Sequence, residues 1–150
     1  MLTSATKNGE HYTAYESGAR THWPDHSLVI PGLGEIRGKH FLKDILGFTG
    51  CEISVNALPA GGSMPYYHRH HDNEEVYIFI QGSGQMQVDN EVIDVQEGTI
   101  VRIAPAGERT WRNNSAGTLV FIIVQMKENS LRQYGVGDAT VPEKAVAWPA

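Results

Sequence analysis

Short apolar runs separated by turn residues fill the chain between residues 51 and 126. The runs are rich in Val, Ile and Phe, and Gly, Pro, Asn or Asp interrupt them every several residues. This pattern is typical of an all-β sandwich or barrel. It predicts strands over residues 52–58, 66–70, 75–81, 84–88, 91–95, 99–104, 110–113 and 119–126.

Two of the predicted strands are apolar on both faces. Residues 76–80 and 119–124 do not alternate between apolar and polar positions, as a strand with one wet face would. We expect one face to line the barrel. The other must be covered by a second sheet, by the N-terminal arm or by another subunit, and we predict a homodimer.

Polar residues dominate the start of the chain. Residues 1–27 have neither a strand period nor a helix period, so we interpret them as a loosely ordered N-terminal arm with one short strand near residues 12–15. A short strand is predicted at 28–30 and a short helix at 41–46. Residues 28–150 then form a single domain with at most one or two short helices. Trp148 in its extended tail is expected to dock in a surface groove.

The composition argues against several classes of protein. A formal net charge of -5 without a clustered basic face gives no sign of nucleic-acid binding. No apolar run approaches the roughly 20 residues needed to cross a bilayer, and the N-terminus lacks the apolar segment of a signal peptide. The lone Cys51 allows no internal disulfide. We therefore predict a cytoplasmic protein that binds a small molecule, with no nucleic-acid or membrane partner.

Two histidines and a pair of glutamates form a candidate metal site. His68 and His70 are two residues apart in a segment that we interpret as extended, so both imidazoles point the same way from backbones about 6.6 Å apart. A polar link follows, and a turn there would bring Glu74 or Glu75 beside them. Two imidazoles and a carboxylate can bind one metal ion. The alternative is a solvated loop with exposed histidines.

The spacing of these residues resembles the first motif of the cupin superfamily. Gly62, five residues, His68, one residue, His70, four residues, Glu75, six residues and Gly82 follow its order in full. The resemblance covers about residues 50–126 and implies a double-stranded β-helix, or jelly-roll barrel. It also favours Glu75 over Glu74, so the implied metal ligands are His68, His70 and Glu75.

The second cupin motif is matched less closely by residues 98–114. Pro105, Gly107 and Asn114 fall in place, but six residues instead of five separate Gly98 from Pro105. Thr110 occupies the position of the family's fourth ligand, a histidine. A set of two histidines and one carboxylate has the composition of the non-haem Fe(II) facial triad. The ligand types also allow Mn, Zn, Ni or Co as the single divalent ion.

Strand parity suggests which residues surround the ion. Tyr77 and Phe79 share a face with Glu75, and Thr110 shares a face with Arg112. Arg102, Arg109 or Arg112 could pair with a substrate carboxylate, although each could equally be a surface charge. Met64 and Trp111 are further candidates for the lining. The residues predicted to line the pocket are Tyr66, Tyr77, Phe79, Met86, Arg102, Thr110 and Arg112.

These residues lead to three hypotheses about function. The first is a metal-dependent enzyme, dioxygenase-like with Fe(II) or Mn or isomerase-like, acting on a small molecule that could be anionic. The second is a non-catalytic binding or sensor protein for a sugar or an acid. The third is a cupin whose metal ion has only a structural role.

Overall fold

Antiparallel strands make up most of the computed structural model, which describes residues 6–149. Residues 1–5 of the predicted arm and Ala150 lie outside the described residues. The helices are a 3-10 helix over Arg20–Asp25 and α1 over Lys43–Leu46. The strands are β1 Thr6–Asn8, β2 Thr13–Tyr15, β3 Ser27–Ile30, β4 Gly34–Arg37, β5 Lys39–Phe41, β6 Cys51–Leu58, β7 Asn73–Gln81, β8 Ser83–Val88, β9 Glu91–Gln96, β10 Ile100–Ile103, β11 Arg109–Arg112 and β12 Leu119–Lys127.

Two sheets pack face to face and form the barrel. The larger sheet has the order β10-β7-β12-β6-β5 and the smaller has the order β11-β8-β9. Inward side chains of both sheets meet in one core, in which Tyr77 and Phe121 of the larger sheet pack with Met86 and Trp111 of the smaller. Alternate residues of each strand point inward to this core. The two packed antiparallel sheets confirm the predicted all-β jelly-roll fold.

A second apolar cluster covers the outer face of the larger sheet. Val55 of β6 and Val120 of β12 pack there against Trp23 of the 3-10 helix and Leu42, which precedes α1. The N-terminal arm was one of the three covers considered for this face, and its 3-10 helix is packed onto the barrel through Trp23. The homodimer stays a prediction.

The region between residues 27 and 46 departs most from the expected elements. β3 pairs with β4 in a hairpin, and β5 pairs with β6. Because residues 39–41 belong to the sheet, the helix begins at Lys43 and not at residue 41. Gly38 lies between β4 and β5 with φ of 69°. A Cβ atom there would lie 2.0 Å from the carbonyl oxygen of Ala57, so only glycine fits this close approach.

Two further expectations are wrong. The segment over 66–70 is not a continuous strand, because only isolated bridges, Ser63 with Arg112 and His68 with Arg109, join this part of the chain to β11. Trp148 is 87% exposed, so it does not dock in a groove. Within residues 6–149, neither helix has the length and apolarity of a membrane-crossing segment.

The buried Trp23 should anchor the arm. We expect Trp23→Ala to lower the free energy of unfolding by about 3–5 kcal/mol, since it removes a large side chain from a packed cluster. Urea unfolding monitored by circular dichroism measures this change. Trp148→Ala is the matched control and should change the stability by less than about 0.5 kcal/mol. Equal effects of the two substitutions would contradict the packing of the arm.

Candidate metal centre

The two histidines of the first motif lie on a segment that runs beside β11. His68 and Arg109 exchange two backbone hydrogen bonds, with N···O distances of 3.1 and 3.0 Å, and the His70 backbone N–H donates to the carbonyl oxygen of Pro105 at 3.0 Å. Glu75 lies on β7, which is between β10 and β12 in the larger sheet. The segment carrying the histidines is thus fixed against β11, and its imidazoles face the carboxylate on β7.

The three side chains converge. His70 Nε2 lies 3.2 Å from Glu75 Oε1, and His68 Nε2 lies 3.7 Å from Glu75 Oε2. One potential ligand atom from each residue lies within 4.8 Å of the others. Atoms that bind one ion at about 2.1 Å at tetrahedral or octahedral angles are about 3.0–3.4 Å apart, so this geometry is close to that of a metal site. Glu74 does not take part, because it forms an ion pair with Arg102.

The imidazole of His68 is held by aromatic contacts. Its ring packs edge-on against His70 and Trp111, at centroid distances of 5.5 and 5.7 Å. His68 Nδ1 is buried and has no hydrogen-bond partner among the described residues. The other ring nitrogen, Nε2, is the one that faces the Glu75 carboxylate, and imidazole nitrogen is a common metal ligand. The arrangement therefore fits a metal ion held by His68, His70 and Glu75.

The two oxygens of Glu75 have different surroundings. Oε2 accepts a hydrogen bond from the Tyr77 hydroxyl at 2.7 Å and two from the Arg109 guanidinium, from Nε at 3.1 Å and Nη2 at 2.7 Å. Oε1 faces His70. With Oε2 occupied, Oε1 is the oxygen available to an ion.

The charge state of this cluster follows from the same contacts. Burial raises the pKa of Glu75, but His68, Tyr77 and Arg109 lower it more, so the pKa lies well below its ordinary value and the carboxylate is ionised at neutral pH. Burial first, and then the charge of Glu75, raise the pKa of Tyr77 well above its ordinary value. Tyr77 therefore keeps its proton and remains a hydrogen-bond donor.

Arg109, and not Thr110, occupies the inward position of β11. Arg109, Trp111 and Asn113 are buried, whereas Thr110 is half-buried and Arg112 is exposed. The Thr110 hydroxyl donates to the carbonyl oxygen of Met64 at 3.1 Å. The placement of Thr110 at the fourth-ligand position is therefore wrong.

The source of this error is the extra residue before Pro105. If the motif is counted from Gly98 with the shorter spacing, the ligand position falls on Arg109 and the motif asparagine falls on Asn113. Asn113 is 1% exposed, and its amide donates to the carbonyl oxygens of Leu58 and Gly117 at 2.9 and 2.7 Å. A guanidinium thus stands where the family pattern has an imidazole.

A cavity of about 260 Å³ opens beside the three converging side chains. Its wall contains His68, His70 and Glu75 together with residues of the β3–β4 hairpin and β5. Tyr66 is among the lining residues, and its ring packs against that of His68 at a centroid distance of 6.4 Å. The remaining wall is mostly apolar and includes Leu33, Ile36, Met64 and Trp111, and Lys39 contributes a charged group to it.

The other predicted pocket residues have different locations. Tyr77 contributes its hydroxyl to Glu75, while Phe79 and Met86 are packed in the core, at 1% and 0% exposure. Arg102 is on the surface and pairs with two glutamates, Glu74 and Glu128. Arg112 donates to the side chain of Gln85 on β8. Neither Arg102 nor Arg112 faces the cavity.

Two cavity residues escaped the sequence reasoning. Gln125 lies opposite Glu75 in the pairing of β12 with β7, and its amide nitrogen is 2.9 Å from His70 Nε2. A polar residue directly after the apolar run 119–124 was the available signal. Burial first, with additional contributions from Arg109 and His68, lowers the pKa of His70 despite the opposing charge of Glu75. Lys39 also lines the cavity, and no local pattern marked it because β5 was not predicted.

Removing the Arg109 guanidinium should destabilise the fold strongly. We expect Arg109→Met to lower the free energy of unfolding at pH 7 by about 3–5 kcal/mol, because it leaves the Glu75 carboxylate buried without its partner. The difference from wild type should shrink as the pH falls toward about 4, because Glu75 of the variant then takes up a proton, whereas the wild-type pKa is depressed. Denaturant unfolding at several pH values measures both effects.

Arg112→Met is the matched control, since Arg112 lies on the same strand but is exposed. It should change the stability by less than about 0.5 kcal/mol. A similar loss in both variants, or a loss in Arg109→Met that does not depend on pH, would contradict the role of the Arg109–Glu75 pair.

Comparisons with known proteins agree with the barrel fold. Residues 55–125 match the family model described as Cupin domain. A crystal structure of a cupin protein from Bacteroides fragilis is 39% identical and has a TM-score of 0.67, covering 69% of this chain and 88% of that chain. A predicted oxalate decarboxylase from Thermotoga maritima is 19% identical, covers 68% of this chain and 90% of that chain, and has a TM-score of 0.57. At that identity it is evidence for the fold alone.

One curated relative also matches. An uncharacterized protein from Methanocaldococcus jannaschii is 39% identical over 59 residues, which cover 39% of this chain and 47% of the relative. The chain thus spans about half the length of this relative. Together, the family match, the Bacteroides fragilis structure and the two-sheet barrel show that the chain is a conserved-barrel protein of the cupin superfamily.

Proposed function

We propose that this cupin is a metal-dependent enzyme that acts on a small molecule bound inside the barrel. The observation that carries the proposal is the convergence of His68, His70 and Glu75 at the wall of a cavity. His68 Nε2, His70 Nε2 and Glu75 Oε1 would hold the ion. Fe(II) and Mn are the favoured ions, because two imidazoles and one carboxylate suit non-haem iron and leave positions open.

The surrounding residues prepare this site. Arg109 and Tyr77 hold Oε2 of Glu75, so that Oε1 remains directed toward His70. Trp111 and Tyr66 pack against the His68 ring and restrict its orientation. Apolar lining residues limit the entry of water, and a mostly apolar pocket with few polar groups is typical of small-molecule sites.

The chemistry is expected to be centred on the ion. A divalent ion with open positions supplies Lewis acidity and, as Fe(II), reactivity with dioxygen. The Arg109 guanidinium is already engaged by Glu75, so it is committed to positioning the carboxylate. We therefore favour a dioxygen-dependent oxidoreductase, with an isomerase as the alternative reaction class.

A non-catalytic binding protein is the second candidate. It is favoured by one observation, namely that a guanidinium occupies the position at which the cupin pattern has a fourth ligand. With fewer ligands, a site could hold an ion that only anchors a sugar or an acid. Both candidates require the same three metal ligands, so metal binding is tested first.

The metal content of purified variants tests the ligand assignment. We expect one divalent ion per wild-type chain after incubation with Fe(II), Mn or Zn and desalting, and loss of the ion in His68→Ala and His70→Ala. His71→Ala is the matched control, because the neighbouring histidine is exposed and should not affect occupancy. Retention of a full equivalent of metal in both His68→Ala and His70→Ala would overturn the proposal.

Turnover separates the enzyme from the binding protein. Fe(II)-loaded protein is mixed anaerobically with small acids, catechols or thiols, and dioxygen consumption is followed after exposure to air. Consumption that depends on a substrate, and that His68→Ala abolishes, supports the enzyme. Binding without consumption supports the carrier or sensor, and a large loss of thermal stability on chelation with no ligand effect supports a structural metal.

A further inference from the structure

Lys39 places an ammonium group in the wall of the same cavity. Its side chain is partly buried and donates to Ser54 Oγ at 3.1 Å and to Asn56 Oδ1 at 3.0 Å. Both acceptors are buried side chains of β6, at 2% and 4% exposure. An ammonium group has three N–H donors, so one donor remains after these two hydrogen bonds. The ring of Phe41, 4.7 Å from Nζ, offers no acceptor oxygen.

The ammonium group of Lys39 has no direct counter-ion in the described part of the chain. Among residues 6–149, no carboxylate lies within 4.0 Å of its ammonium nitrogen. Burial lowers the pKa of Lys39 to about 8, with the charges of Glu75 and Glu52 opposing the shift. The group is therefore still mostly protonated at neutral pH, and a partly buried charge that lacks an ionic partner favours the binding of an anion.

The position of Lys39 is enforced by the fold. Gly38 precedes it in a conformation that other residues rarely adopt, and the Ala57 backbone N–H donates to the Gly38 carbonyl oxygen at 2.7 Å. The side chain therefore points across β6 into the barrel. Among the described residues that line this cavity, Lys39 is the only lysine or arginine.

We propose that Lys39, supported by Ser54 and Asn56, binds the carboxylate of a small monocarboxylic acid whose apolar part fills the cavity beside the metal ligands. This rests on the proposed function, because it assigns the substrate class of the same cavity. Apolar contacts for the body of the acid come from Leu33, Ile36 and Met64.

Charge and size select this ligand class. Two carboxylates, Glu52 and Glu75, line the cavity together with the single ammonium group, so a monoanion is better matched there than a doubly charged phosphate. A volume of about 260 Å³ is below the roughly 300–1,000 Å³ of sites for drug-sized ligands. The arginines that the sequence suggested for this role are engaged with Glu75, Gln85 or surface glutamates.

Calorimetric titration with paired probes tests the proposal. The probes are isobutyrate, benzoate and phenylacetate, each compared with its neutral amide, and phenyl phosphate as the dianion. In the wild-type protein, at least one carboxylate should bind more tightly than its amide, and more tightly than phenyl phosphate. Lys39→Met should weaken that carboxylate at least about tenfold, as expected for a lost charged hydrogen bond, and leave the amide unchanged.

Two variants serve as controls. Lys43→Met removes an exposed lysine of α1 and should leave all affinities unchanged. Lys39→Arg should retain part of the preference for the carboxylate. Lys39→Met is expected to fold, because Asn56 Nδ2 still donates to Ser54 Oγ at 3.0 Å, and a thermal melt by circular dichroism checks this.

The titrations are repeated after chelation to keep this proposal separate from metal binding. A preference for the carboxylate that depends on Lys39 in both metal-loaded and metal-free protein supports the inference, whatever the metal analysis shows. A preference that survives Lys39→Met but disappears on chelation means that the ion binds the carboxylate, and this overturns the role of Lys39. The absence of any carboxylate preference in wild type, or tighter binding of phenyl phosphate, also overturns it.

Discussion

The buried ion pair between Arg109 and Glu75 is the interaction on which the site depends. It joins β11 of the smaller sheet to β7 of the larger sheet, and the guanidinium is completely shielded from solvent. Arg109 Nη1 also donates to the carbonyl oxygen of Gly107 at 2.8 Å, so the guanidinium is held from both sides. A buried pair of this kind need not raise the overall stability, but it strongly penalises arrangements that separate its partners.

This pair leaves the rest of the site with a defined geometry. With one oxygen of Glu75 occupied, the other is directed toward His70, and the His68 ring is held between Trp111 and Tyr66. The arm, through Trp23, covers the outer face of the larger sheet, so the apolar residues on that face pack without using the barrel interior. The interior can then provide a cavity with histidines and a carboxylate on one part of its wall and Lys39 on another.

Much of the fold was readable from the sequence where local signals are strong. From residue 51 onward, short β-branched runs and turn residues predicted β6 to β12, although the strand predicted over 66–70 is absent. The spacing of His68, His70 and Glu75 predicted the cluster that the structure brings together. The elements before residue 51 were harder to predict, because β4 and β5 are only four and three residues long, and β5 is stabilised by pairing with β6 on the far side of α1. Lys39 was missed for that reason.

The wrong prediction of Thr110 at the position that Arg109 occupies has a different physical cause. One additional residue between Gly98 and Pro105 changes which side chains of β11 face inward, since a shift of one residue reverses every facing in a strand. Sequence spacing alone did not show on which side of Pro105 the shift is absorbed. The buried ion pair between Arg109 and Glu75 shows that Arg109, and not Thr110, faces inward.

The most direct measurement is a crystal structure of the protein soaked with Mn, with anomalous diffraction locating the ion. The account predicts one ion bound by His68 Nε2, His70 Nε2 and Glu75 Oε1, with Arg109 still donating to Oε2. An ion bound elsewhere, or one that coordinates Oε2 with the guanidinium displaced, would contradict it.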